Sequence, residues 1–311
     1  MTHMNKKTTL SKFIDLKKKW KKYIKQFSPL PHKWAIISDY CLGDANKPNN
    51  VLSFSICPYP ISLFFCRSEI NTIMKNDIKH TRNIPQQMIN YIKKQTTFFT
   101  ISYVIRTPKC INVQLVQASI DNYIQKCKNF QKQNPSNELS ETIKGLEPIS
   151  AYLKKNKFNQ KHIKNFIYIA SITAEIMEFL TINQGVKEII WISDRDPAIS
   201  FKNGVIFNYT KILYNQKIGN RRNNTSISYT KLKENRECLF DGLIRFPDTI
   251  TAALASYNFE NKTVDRPKHL NILSNAIADN ERIFIIDITS EWTSDLSFKL
   301  NSTDPKLSEL S

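Results

Sequence analysis

The sequence predicts an α/β domain, and three observations carry that prediction. Two apolar runs, Trp34 to Asp39 and Val51 to Cys57, flank a stretch of turn residues at 43–50, the pattern of an antiparallel pair. A strongly apolar helix, Ile163 to Leu180, ends at Asn183-Gln184-Gly185 and is followed by a core strand, Val186 to Ser193. A helix apolar on most sides is a buried one, so it must lie against a sheet or other helices.

Each element follows from its pattern. In 8–28, Trp20, Tyr23, Ile24 and Phe27 recur at helical spacing among lysines, and Pro29 and Pro31 end the segment. That helix either grips a polyanion or membrane surface with its lysines or docks its aromatic stripe on the domain. Ile61 to Cys66 reads as a third strand after Val51–Cys57, which would complete a meander. Residues 84–95 form a helix with Ile84, Met88, Tyr91 and Ile92 on one face, and Phe98 to Ile105 is rich in aromatic and β-branched residues, hence a strand. Residues 128–161 and 215–236 are polar and read as insertions. Phe246-Pro247-Asp248 opens a helix to about Tyr257, Ile272 to Ala278 is a further helix, and Arg282 to Ile288 is a short strand. The expected organisation is a basic extension over 1–30, one domain over 31–290 and a frayed tail over 291–311.

Composition narrows the function. Hydrophobic residues make up 41% and aromatics 11%, which excludes a wholly disordered chain, and 6 Gly with 13 Pro excludes a collagenous one. At about 100–200 residues per domain, a chain of 311 residues fits one large domain. The net charge of +18 points to a polyanion such as nucleic acid. The competing account is a compositional bias towards Lys, Asn and Ile. The six cysteines include no CxxC pair and no histidine at zinc-ligand spacing, so reduced thiols in a cytoplasmic protein are expected. No segment reads as an export signal or as a membrane span.

Three acids stand where an apolar element meets a turn: Asp39, Asp194 (with Asp196 nearby) and Asp248. A carboxylate at such a place needs a partner. A divalent cation is one, since Mg²⁺ or Mn²⁺ takes hard oxygen ligands and two such ions assist phosphodiester cleavage. Simpler roles compete: Asp39 as a turn initiator, Asp194 as a partner of Arg195, Asp248 as a helix N-cap and Asp196 as a turn residue. Phosphate-binding GxxxxGK[ST] loops, GxGxxG and GxSxG are absent, and the histidines are scattered.

The order of these motifs resembles a widespread, mostly uncharacterised microbial family with an RNase H-like fold. That family opens with a strand ending in Asp-Glu-Ser-Gly. The opening here is Ile36-Ile37-Ser38-Asp39-Tyr40-Cys41-Leu42-Gly43-Asp44, with Tyr40 where the family has Glu. Asp77-Ile78-Lys79-His80 matches its Lys-containing segment. Ile190 to Asp196 matches its later strand ending in Asp, and Arg245 to Leu254 its acid-bearing helix. The resemblance implies a mixed sheet flanked by helices, metal ligation by Asp39, Asp194 and Asp248, and Lys79 near the substrate. The expected function is a metal-dependent phosphodiesterase acting on nucleic acid, with Arg195, Arg221 and Arg222 helping to hold phosphates. The alternatives are a catalytically decayed nucleic-acid-binding module on the same fold, and a protein-interaction factor whose charge is compositional.

Overall fold

A computed structural model describes residues 10, 13–59, 61–75, 78–106, 113–155, 159–201, 204–219, 225–230, 240–292 and 298–301. Helix α1 (Ile14–Ile24) precedes strands β1 (Lys33–Cys41) and β2 (Asn50–Pro58). Helices α2 (Ile61–Ile73) and α3 (Gln86–Lys94), with a 3₁₀ turn at Ile78–His80 between them, lead to β3 (Phe99–Ile105). Helices α4 (Val113–Gln133), α5 (Asn137–Leu153) and α6 (Gln160–Gln184) follow, then β4 (Glu188–Ser193), α7 (Pro197–Ser200), α8 (Val205–Ile218) and β5 (Ser226–Tyr229). Helix α9 (Asp241–Ala255) is succeeded by the hairpin of β6 (Tyr257–Asn258) and β7 (Thr263–Val264). Helix α10 (Pro267–Ile272), which runs into a π turn at Leu273–Ile277, and strands β8 (Ile283–Trp292) and β9 (Phe298–Asn301) close the described chain.

The strands form a mixed sheet in the order β5-β4-β1-β2-β3-β8-β9. Strand β2 is antiparallel to β1 and β3, whereas β4 is parallel to β1, β5 to β4 and β8 to β3. The carboxyl ends of β1, β3, β4, β5 and β8 therefore share one edge of the sheet. Successive side chains alternate between faces. On one face Trp34, Ile36, Tyr40 and Trp191 pack with α1, α4, α5, α6 and α8. On the other, Ala35, Ile37 and Ile192 pack with α2, α3, α9 and α10. Burial on both sides explains why the strands read as nearly continuous apolar runs.

Helix α1 turns its aromatic stripe inward. Trp20 lies 5.5, 5.2 and 5.4 Å, ring centre to centre, from Trp34, Phe99 and Phe179. The Tyr23 hydroxyl donates to the Thr97 carbonyl at 2.6 Å. Helix α6 has the length and apolarity of a membrane span, but most of it is buried inside this protein. Gly185 ends it in the left-handed region at φ 59° and donates its N–H to the Thr181 carbonyl, a cap that glycine adopts without strain.

The structure departs from the expected elements in four places. Ile61–Cys66 is the start of α2, not a strand. Its apolar run fits either period, and Leu63, Cys66, Ile70 and Met74 settle on a helical stripe in the core. The third antiparallel strand is β3 instead. Residues 128–161, expected as a surface excursion, are largely helical, because Ile143, Leu146, Ile149 and Leu153 bury a stripe that polar neighbours mask in sequence. The 215–236 stretch includes the end of α8 and the edge strand β5, which pairs with β4. The expected frayed tail begins inside β8, which runs to Trp292 and pairs with β9.

Candidate active site

Strand register brings two of the acids together. The parallel β1–β4 ladder ends with Ser38 opposite Ser193, and the Asp194 N–H continues it by donating to the Ser38 carbonyl at 3.1 Å. Asp39 and Asp194 thus follow side by side at the sheet edge, on the face of Ile37 and Ile192. Asp39 is only 5% exposed and lies opposite Ser53 of β2.

Helix α9 crosses this face and supplies the third acid. It approaches closely because the sheet offers small side chains there: Ser53 and Ser102 share a hydrogen bond of 2.9 Å, as do Ser55 and Thr100. Buried Thr249, Thr251 and Ala253 continue the small-residue contact from the helix. Asn49 donates to the carbonyls of Leu254 and Tyr257, satisfying the carbonyl end of the helix. Phe246 stacks on Phe98 at 4.7 Å.

Asp248 is not a helix start, contrary to the sequence reading. The helix begins at Asp241 and carries Pro247 within it. An interior proline costs about 3 kcal/mol, but Leu243, Ile244 and Phe246 ahead of it are buried, and that burial extends the helix upstream. The N-cap and helix-dipole roles expected of Asp248 therefore fall away. The extra turns bring residues that the sequence reading missed. Asp241, Arg245 and Asp248 recur at spacings of four and three, hence on one helix face.

Asp39, Asp194, Arg195, Asp241, Ile244, Arg245 and Asp248 line an open cavity of about 280 Å³. Arg195 pairs with Asp241 at 2.7 Å across the rim, and Arg245 donates to the Met74 carbonyl at 2.9 Å. Burial first, then the charges of Asp248 and Asp194, push the Asp39 carboxyl well above the ordinary carboxylate range; hydrogen bonds from Thr251 and Tyr40 only partly oppose this. Asp196 stays apart as the N-cap of α7, accepting from the Ala198 N–H at 2.7 Å, the local role expected for it.

That perturbation yields a stability prediction. A carboxyl whose folded pKa is raised stabilises the fold fully below its unfolded value, and this contribution is lost as pH rises through the folded value. At neutral pH the ionised Asp39 is thus a burden, of the order of 1–3 kcal/mol for a buried polar group. Asp39→Asn should raise Tm by a few degrees at pH 8 in chelator, with the gain shrinking towards pH 4. Thermal unfolding across that range checks it; a lower Tm for the variant at pH 8 would count against the assignment.

Tyr40, where the resembled family has Glu, points to the opposite face. Its hydroxyl joins Ser38 and Ser193, and Trp191 Nε1 donates to Ser38 Oγ. No cavity carboxylate is lost by having tyrosine there. Tyr40→Phe should cost about 1–3 kcal/mol in urea unfolding. In the cleavage assay below it should alter the rate by less than about threefold, a barrier change under ~0.7 kcal/mol. Glu175 is also on the far side, where it pairs with Lys217 at 3.2 Å. The Lys79 side chain, Arg221 and Arg222 lie outside the described residues.

Among the described residues, no three His, Cys, Asp or Glu side chains stand close enough to hold one metal ion between them. The donor set still suits a hard cation that keeps most of its waters and takes one or two carboxylates at a time. Three carboxylates that raise the proton affinity of the most buried one form a site that a cation would relieve. No family model, curated protein or solved structure matches the chain.

Proposed function

We propose that the chain is a divalent-metal-dependent phosphodiesterase acting on nucleic acid, built on an RNase H-like core. The observation that carries this reading is the register that sets Asp39 beside Asp194, with Asp248 facing the same cavity from α9. The sheet supports the fold assignment: an antiparallel β1–β2–β3 meander with β4 and β5 added in parallel beside β1 is the arrangement of an RNase H-like sheet.

Asp39 and Asp194 would hold Mg²⁺ or Mn²⁺, with Asp248 completing the acidic wall. The bound ion would supply Lewis-acid polarisation of a phosphoryl oxygen and a more acidic water. Arg195 and Arg245 present guanidinium groups at the same cavity, suited to phosphate oxygens. Their contacts to Asp241 and to the Met74 carbonyl orient them before substrate arrives. The net charge of +18 supplies long-range attraction for a polyanion.

The rival reading, binding without hydrolysis, is favoured by one observation, the lack of a ready three-ligand cluster among the described residues. One assay separates the two. Labelled single-stranded, duplex and hybrid oligonucleotides are incubated with Mg²⁺ or Mn²⁺, beside the Asp39→Asn/Asp194→Asn variant. Metal-dependent cutting by the parent and none by the variant is expected. Salt-sensitive retention without cutting would overturn hydrolysis in favour of binding alone.

A further inference from the structure

We infer that Lys47, Arg266 and Lys268 form a second phosphate-binding subsite, beside the acidic cavity, that holds the nucleic-acid backbone next to the reacting phosphate. The inference rests on the nucleic-acid reading above and adds a location to it.

Three segments meet at the carbonyl end of α9. Lys47, in the turn between β1 and β2, donates to Ser256 Oγ at 2.5 Å, where Ser256 caps that helix. The next residue, Tyr257, pairs with Val264 in the small hairpin, which delivers Arg266 and Lys268 to the same place. Lys268 donates to the carbonyls of Ile78 and Thr81, both at 2.7 Å, and so pins the turn that carries Lys79. The cluster lies within electrostatic reach of the cavity. Burial first, then Arg266 and Lys47, lower the Lys268 ammonium, while Asp248 acts in the opposite sense. Burial first, then Lys47, Lys268 and Arg266, push His269 down to about 4.

Lysines and arginines elsewhere in the described structure meet carboxylates, as in Lys22–Glu281, Lys33–Glu188, Arg106–Asp287 and Lys128–Glu147. No described carboxylate forms an ion pair with Lys47, Arg266 or Lys268, although Asp44 and Asp265 are close in sequence. Gathering like charges without counter-charges is unfavourable, and folding alone gives no return for it. A phosphate backbone provides the missing negative charge, and anchored side chains lose little freedom on binding it. The carboxylates of the cavity repel phosphate, so a substrate strand needs cationic contacts flanking them. Arg195 and Arg245 serve one flank and this cluster the other.

The test is fluorescence anisotropy of labelled oligonucleotides with the full chain in chelator, across a salt series, with inorganic phosphate as competitor. Lys47→Gln is compared with the triple variant Lys47→Gln/Arg266→Gln/Lys268→Gln. Each lost contact should lower the slope of log K against log salt by about 0.7 on single strands. Lys126→Gln/Lys132→Gln, on α4 across the sheet, should leave the slope unchanged. Lys47→Gln stands as the safeguard against misfolding, because Lys47 bonds only the Ser256 hydroxyl. An unchanged slope in Lys47→Gln and in the triple variant, with a parent that binds, overturns the subsite. Phosphate binding by the parent without oligonucleotide binding overturns its assignment to a nucleic-acid backbone. A slope that falls as expected in a parent that cuts nothing keeps the subsite and overturns the hydrolytic reading instead.

Discussion

Asp194→Asn is expected to reduce metal-dependent oligonucleotide cleavage by about 10²–10⁴-fold while binding persists or tightens. The magnitude follows from losing several kcal/mol of metal-assisted stabilisation, at 1.36 kcal/mol per tenfold. Binding persists because the substitution removes a negative charge from a wall that faces phosphate. The fold should tolerate the change. The strand-end hydrogen bond to Ser38 uses the Asp194 backbone, and the side chain is only half-buried at the cavity. Rates and anisotropy are measured on the same preparation. Cleavage at the parental rate would remove Asp194 from the metal site, whereas parallel losses of cleavage and thermal stability would point to damaged folding.

Trp20→Ala should destabilise the protein by about 3–5 kcal/mol, the range for truncating a buried aromatic. Trp20 is 2% exposed and touches Trp34 of β1, Phe99 of β3 and Phe179 of α6, so one side chain ties the N-terminal helix to the centre of the sheet. A drop in Tm of roughly 10 °C is expected. Lys17→Gln or Lys21→Gln, on the outward side of the same helix, should stay within about 0.5 kcal/mol. Urea unfolding decides this. A Trp20→Ala variant as stable as the parent would mean that α1 adds nothing to the core, and its lysines would again be candidates for a mobile polyanion arm.

The sequence by itself determined those elements whose pattern matched a single period. Strands β1, β2, β3 and β4 and helices α3 and α6 were legible, because long apolar stretches with strong stop signals leave few alternatives. Gly185 after α6 and the turn chemistry at 43–50 are examples. The acids Asp39, Asp194 and Asp248 stood out for the same reason, each following or interrupting an apolar run. Tertiary structure decided the rest. A short apolar run fits both periods, so only packing against α9 and β2 made Ile61–Ile73 a helix. Propensity places a helix start at proline, so only the burial of Leu243, Ile244 and Phe246 carried α9 back to Asp241 and added Arg245 to the cavity. Strand register, a property of paired backbones and not of either strand alone, decided that Asp39 and Asp194 stand together while Tyr40 faces away. Likewise, no local pattern links residue 47 to residues 266–268. Their charges meet because the β1–β2 turn and the hairpin after α9 both close on the same helix end.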